Sequence, residues 1–87
     1  MAQFNSPEMK ETIRRIVRAQ MIEKGVNYKQ LMEKLAALGV SQTESTLRSK
    51  VNNASMGAQL FLYIQMALEI EVLDLKHVKD VLSDVKS

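Results

Sequence analysis

No cysteine occurs in the 87-residue chain, so neither a disulfide framework nor a thiolate metal site is available to it. Histidine appears once, as His77 between Lys76 and Lys79, where it reads as an exposed helix residue. With no Gly-rich phosphate loop and no carboxylate pair in an apolar setting, the chain offers no catalytic constellation, and no enzyme activity, metal or cofactor is expected. Tryptophan is absent, and Phe4, Tyr28, Phe61 and Tyr63 do not cluster on a basic face, which argues against a stacking platform for single-stranded nucleic acid. The longest apolar run, "AQLFLYIQMALEIEVL", is cut by Gln65, Glu69 and Glu71 and is too short to span a bilayer. The opening "MAQFNSPEMKE" lacks an apolar signal region, so the chain reads as an intact cytoplasmic open reading frame with no membrane partner.

What is present is an ordinary globular balance, 46% hydrophobic and 25% charged. A chain of this length makes one domain that buries roughly 60 to 65% of its unfolded surface, expected over residues 7–87 behind a flexible 1–6. The net charge is +2, unevenly spread. Residues 1–40 carry seven Lys/Arg against four Glu, whereas 57–87 carry three Lys against five acids. A negatively charged partner would meet the first two-thirds of the chain.

Helical punctuation is plain early on. Ser6 can cap a helix with Pro7 at its first position, and Met9, Ile13, Ile16, Val17 and Met21 recur at helical spacing until Gly25, predicting a helix over 7–24. Arg14, Arg15 and Arg18 fall mainly outside that stripe, either as a solvated face paired with Glu11 or as phosphate contacts. Asn27 and Gln30 form a capping-box pattern with Val26 and Leu31 as a staple. Tyr28, Leu31, Met32, Leu35 and Ala36 then follow the helical period until Gly39, predicting 28–38. No strand-like alternation appears, so the fold class is all-α: a compact bundle of about five helices near 7–24, 28–38, 43–53, 58–69 and 74–86.

The stretch "GVSQTESTLRSKVNNASMG", residues 39 to 57, is the sharpest feature. Ser41 with Glu44 is one capping pattern and Thr43 is a second possible cap. Leu47 and Val51, four apart, would anchor one face; Ser45, Ser49 and Asn52 point away from them, with Arg48 on one flank and Thr46, Lys50 and Asn53 on the other. A merely solvated helix would carry better helix formers such as Glu and Lys. Short hydrogen-bonding side chains around an Arg suit the major groove of DNA, where Arg reads guanine and Asn reads adenine.

Residues 58–69 are apolar nearly all round and predict a central helix contacted on several sides, with Phe61, Ile64 and Leu68 deepest. Met9, Met21, Met32 and Met66 sit in helical apolar stripes and read as core filler. Asp74 caps a final helix in which Leu75, Val78, Val81, Leu82 and Val85 form either a core stripe or a dimer seam.

"GVNYKQLMEKLAALGVSQTESTLRSKV", followed by "LYIQMALEIEVLDL", resembles the helix-turn-helix superfamily of lambda-repressor and Cro-type regulators over roughly residues 9 to 76. Gly25, Leu31, Gly39, Val40, Ser41, Ala67, Leu68 and Leu75 fall on matching positions. The Tyr28-to-Gly39 spacing and "LRSKV" more closely resemble a small bacterial family described only as a domain of unknown function. The chain departs from the repressor pattern in a longer stretch from Leu31 to Gly39, in Met32 where a small Ala is usual, and in Asn52-Asn53 at the end of the third helix. The resemblance implies a helix-turn-helix and a transcriptional regulator that binds double-stranded DNA, placing Gln42, Thr43, Ser45, Thr46, Arg48, Ser49 and Asn52 near bases or adjacent phosphates and Lys50, Asn53 and Lys29 on the backbone. It also implies a homodimer on inverted half-sites, located in the cytoplasm and on the nucleoid when bound. The rival reading is a protein-interaction adaptor, a phage or mobile-element factor that keeps the fold without DNA.

Overall fold

The structure, a computed structural model, describes residues 5–87. Five helices follow one another: α1 (Pro7–Lys24), α2 (Tyr28–Ala37), α3 (Glu44–Asn52), α4 (Gly57–Ala67) and α5 (Leu75–Lys86). No strand occurs among the described residues. Of the segment expected to be loose, residues 1–4 lie outside the described residues, and Ser6 is the cap of α1, its Oγ accepting from the Met9 amide at 3.2 Å.

Local chemistry sets most boundaries. After α1, Gly25 takes the left-handed conformation at φ 66, and the Val26 amide closes back on the Met21 carbonyl at 2.8 Å, satisfying carbonyls the helix leaves open. Asn27 and Gln30 complete the capping box in both directions, at 2.8 and 2.9 Å. Gly39 (φ 84) repeats the closing turn after α2, with Val40 N–H donating to the Leu35 carbonyl at 2.9 Å.

The later boundaries differ from expectation. Of the two expected caps for α3, Thr43 and not Ser41 takes the place, accepting from the Thr46 amide at 3.1 Å. Helix α4 stops at Ala67, two residues short of the expected 69. Glu69 adopts φ 57 and the Ile70 amide reaches back to the Gln65 carbonyl at 2.9 Å, so a closing turn forms with no glycine to announce it. Ala54 (φ 48) plays the same part after α3.

α1 packs against α5 and α3, while α2 packs against α3 and α4. The core gathers Val17 and Met21 of α1, Leu31 and Leu35 of α2, Leu47 and Val51 of α3, and Leu60, Ile64 and Leu68 of the α4 region. Ile64 and Leu68 are buried as expected, but Phe61 is half-buried and Leu60 takes the deep place instead. Nor is α4 contacted all round: Leu62 and Met66 are 59% and 58% exposed, so Met66 is not core filler. Ala36, expected in the α2 stripe, is exposed. Gln65 is the buried polar residue of α4, and it exchanges reciprocal amide hydrogen bonds with Gln20 of α1 at 2.7 and 3.0 Å. That pairing leaves neither amide unsatisfied inside the bundle.

α5 follows a different rule. None of its residues is buried; Val78, Val81, Leu82 and Val85 are half-buried, and Leu75 is 65% exposed. No described helix is long and apolar enough to cross a membrane.

Candidate nucleic-acid interface

α3 is pinned by two residues. Leu47 and Val51 have no exposed surface, so the helix cannot roll without drawing an aliphatic side chain out of the core. The opposite face is thereby fixed in place. Thr43, Ser45, Arg48, Ser49, Asn52 and Asn53 are exposed on it, while Gln42, Thr46 and Lys50 are half-buried at its margins. No other helix in the bundle presents so many short polar side chains together.

Those side chains are partly ordered by one another. The Thr43 hydroxyl donates to Thr46 Oγ1 at 2.7 Å while accepting from the Thr46 amide, which locks the first turn. Lys50 Nζ reaches back to Gln42 Oε1 at 3.3 Å, tying the helix to the turn that leads into it. Asn53 Nδ2 donates to Ser49 Oγ at 3.3 Å. The two 3.3 Å links are weak and readily exchanged for another acceptor, while the 2.7 Å Thr43–Thr46 bond fixes the first turn.

Arg48 has the most organised surroundings. Its guanidinium lies 5.2 Å from the centroid of the Tyr28 ring, at the start of α2, and its Nη2 is 3.3 Å from Glu44 Oε1. A stacked guanidinium loses less freedom on meeting a planar partner than a free one does. Tyr28 was expected only as a core-facing residue of α2; it is half-buried and serves as the platform for Arg48. Its aromatic ring at the first position of the capped helix was the signal that sequence reading passed over.

Two further neighbours were invisible in the sequence. Lys10 and Glu11 of α1 share a shallow cleft with Asn52 and Asn53, so the polar face of α3 runs on to the first half of α1. There Glu11 hydrogen-bonds Arg14 (Nε at 2.8 Å) and Arg15 (Nε at 3.1 Å). The Arg14 hydrogen bond, then that of Arg15, holds the Glu11 carboxyl down at about 2, and the same contact raises the Arg14 guanidinium. Two of the α1 arginines therefore form the solvated, acid-paired face that was one of their two expected readings. Lys29 is exposed on the first turn of α2, beside Tyr28 in sequence and on a different helix from the rest of the set.

Among the described residues no group of three or more His, Asp or Glu side chains is placed to hold a metal ion. No curated protein and no solved structure matches the chain. A family model described as a domain of unknown function, DUF6471, matches residues 9–73, taking in all of α2, α3 and α4 and stopping short of α5. The chain belongs to the DUF6471 family.

Proposed function

We propose that the chain is a sequence-specific regulator that binds double-stranded DNA by inserting α3 in the major groove, with α2 and α3 acting as a helix-turn-helix. The observation that carries this reading is α3 itself: a nine-residue helix with two fully buried anchors and an outward face of Ser, Asn, Thr and one aromatic-backed Arg. Such a face matches the donors and acceptors on base edges, and it would be a poor choice for mere solvation. Thr43, Ser45, Arg48, Ser49 and Asn52 are assigned to the groove; Gln42, Thr46, Lys50, Asn53 and Lys29 are assigned to its edges and to phosphates. The function is binding, without catalysis or cofactor.

Homodimerisation belongs to the same proposal. Leu75 is exposed and Val78, Val81, Leu82 and Val85 are covered only in part by α1, which leaves apolar surface on α5 for a second copy. Two copies would address half-sites about one helical turn, ~34 Å, apart.

The test is selection of the purified protein against randomised duplex DNA at low and moderate salt. An enriched inverted repeat, bound more weakly as salt rises, is the expected outcome. Absence of binding at low salt would overturn the reading and favour the adaptor that uses this fold on a protein.

A further inference from the structure

Along α1, the first half borders α3 and the second half borders something else. Lys10 and Glu23 are separated by about 20 Å at 1.5 Å per residue. From Ile16 onward, α1 forms one wall of a groove of about 1160 Å³ whose other wall is the end of α4 and the connector to α5. Its apolar lining comes from Ile16, Ala19, Met66, Ile70, Val72 and Leu73. Its acidic lining comes from Glu23, Glu69, Glu71 and Asp74, against Lys24 as the one Lys or Arg.

Two features of this groove bear on what it could hold. Large apolar side chains stand open to water there: Met66 is 58% exposed and Val72, on the connector, 79%. And Glu69 is a locally unfavourable residue twice over. It occupies the left-handed conformation (φ 57) that glycine takes without strain, and it sets a negative charge at the C-terminal end of α4, where the helix dipole favours a cation. A cation arriving from outside would relieve the electrostatic half of that conflict.

We propose that the groove docks a basic amphipathic helix of a protein partner, with apolar side chains between α1 and α4 and Lys or Arg on Glu23, Glu69, Glu71 and Asp74. Charge complementarity selects this occupant: the chain as a whole is +2, yet this face concentrates four acids around an apolar floor. The site is independent of DNA binding by α3, and one molecule can serve both surfaces at once, bringing a partner to whatever α3 holds.

The experiment is fluorescence anisotropy with a labelled model helix that carries Leu at helical spacing and Lys elsewhere; the control peptide has the same Leu pattern and Glu in place of Lys. The Lys peptide is expected to bind and the Glu peptide to bind far more weakly. Glu69→Gln with Glu71→Gln should weaken the Lys peptide by about fivefold, two rim charges being lost. Met66→Lys should weaken it by about tenfold or more, because a central apolar contact is replaced by a like charge. Glu8→Gln with Glu33→Gln, away from the groove, should change nothing. Each substituted side chain is exposed and can be changed without disturbing the core, and circular dichroism checks that each variant remains helical. Equal binding of both peptides, or equal binding by the parent and the Glu69→Gln/Glu71→Gln variant, overturns the proposal. So does a parent that sediments as a dimer and becomes a monomer on Met66→Lys, since the groove would then belong to a second copy.

Discussion

α3 and α5 are both short, both polar over most of their surface, and held in opposite ways. The nine residues of α3 include two with no exposed surface at all, whereas the twelve of α5 include none that is buried. α5 is the more amphipathic by sequence, with an apolar residue on nearly every turn, yet it lies along α1 as an outer layer. Apolar content therefore did not decide which helix became part of the core. Position did: α3 is wedged between α1 and α2, while α5 packs on α1 alone. A helix fixed by two points in a close-packed interior can hold a side chain such as Arg48 in a defined direction, and a helix half-buried along one partner cannot hold one as firmly.

The largest effect that can break this contrast is loss of an α3 anchor. Leu47→Ala should destabilise the fold by about 2 to 5 kcal/mol, while Val85→Ala on α5, half-buried at its end, should cost less than about 1.5 kcal/mol. Urea unfolding of the two variants decides it; equal losses would mean that α5 is as integral as α3. Next in size is Arg48→Ala. If α3 reads bases, affinity for the selected duplex should fall by about 1 to 3 kcal/mol with relaxed preference at one position. Stability should move by no more than about 0.5 kcal/mol, because Arg48 is an exposed residue whose pairing with Glu44 is worth little. A duplex affinity unchanged by the substitution would remove Arg48 from the interface.

Much of this arrangement was readable in the chain, for physical reasons that also explain the rest. Ser6-Pro7, Asn27 with Gln30, and Gly25 and Gly39 announce themselves because capping and left-handed turns demand particular residues, so α1 and α2 were placed to within a residue. The same logic failed where the chain turns on residues that do not advertise it. Ala54 and Glu69 take positive φ, and no pattern of apolar spacing shows that α4 ends at Ala67. Burial of Leu47 and Val51 followed from their four-residue spacing. What spacing within one helix cannot express is juxtaposition across helices: Tyr28 under Arg48, Lys10 beside Asn52, and Met66 facing Glu23 across the groove all join residues distant in sequence. The apolar run of α4 misled for the same reason, since it says how much of the helix prefers burial and not how much neighbouring surface exists to bury it.

The turn after α3 offers a smaller and opposite effect. Ala54 holds φ 48 so that the Ser55 amide can reach the Lys50 carbonyl at 2.8 Å. Ala54→Gly should remove that strain and stabilise the fold by about 0.5 to 1 kcal/mol, after allowing for the extra freedom glycine gives the unfolded chain. A thermal melt reads it. A lower midpoint would mean that the turn is not held in the left-handed conformation in solution.

The smallest effect lies where α1 passes beside the end of α3, and pH exposes it. Glu11 titrates at about 2 in the folded chain against 4.5 for a free side chain, because it accepts hydrogen bonds from Arg14 and Arg15. A carboxyl whose folded value is depressed favours the folded state above its unfolded value and gives that contribution up as pH falls from about 4.5 through about 2. Stability of the parent should therefore decline more over that window than stability of Glu11→Gln, and the difference between them should vanish below it. The group sits on the surface, so the gap should be modest and should shrink with added salt. The same substitution also releases Arg14 and Arg15 from the carboxylate that shares the cleft with Asn52 and Asn53. If α3 rests on DNA, Glu11→Gln should steepen the dependence of binding on salt by up to about one unit in the logarithmic slope, as one more phosphate gains a cation. α5 has no comparable neighbour of α3 to release, so Asp80→Gln on α5 should leave that slope alone, which separates a local effect at the α1–α3 cleft from a general change in net charge.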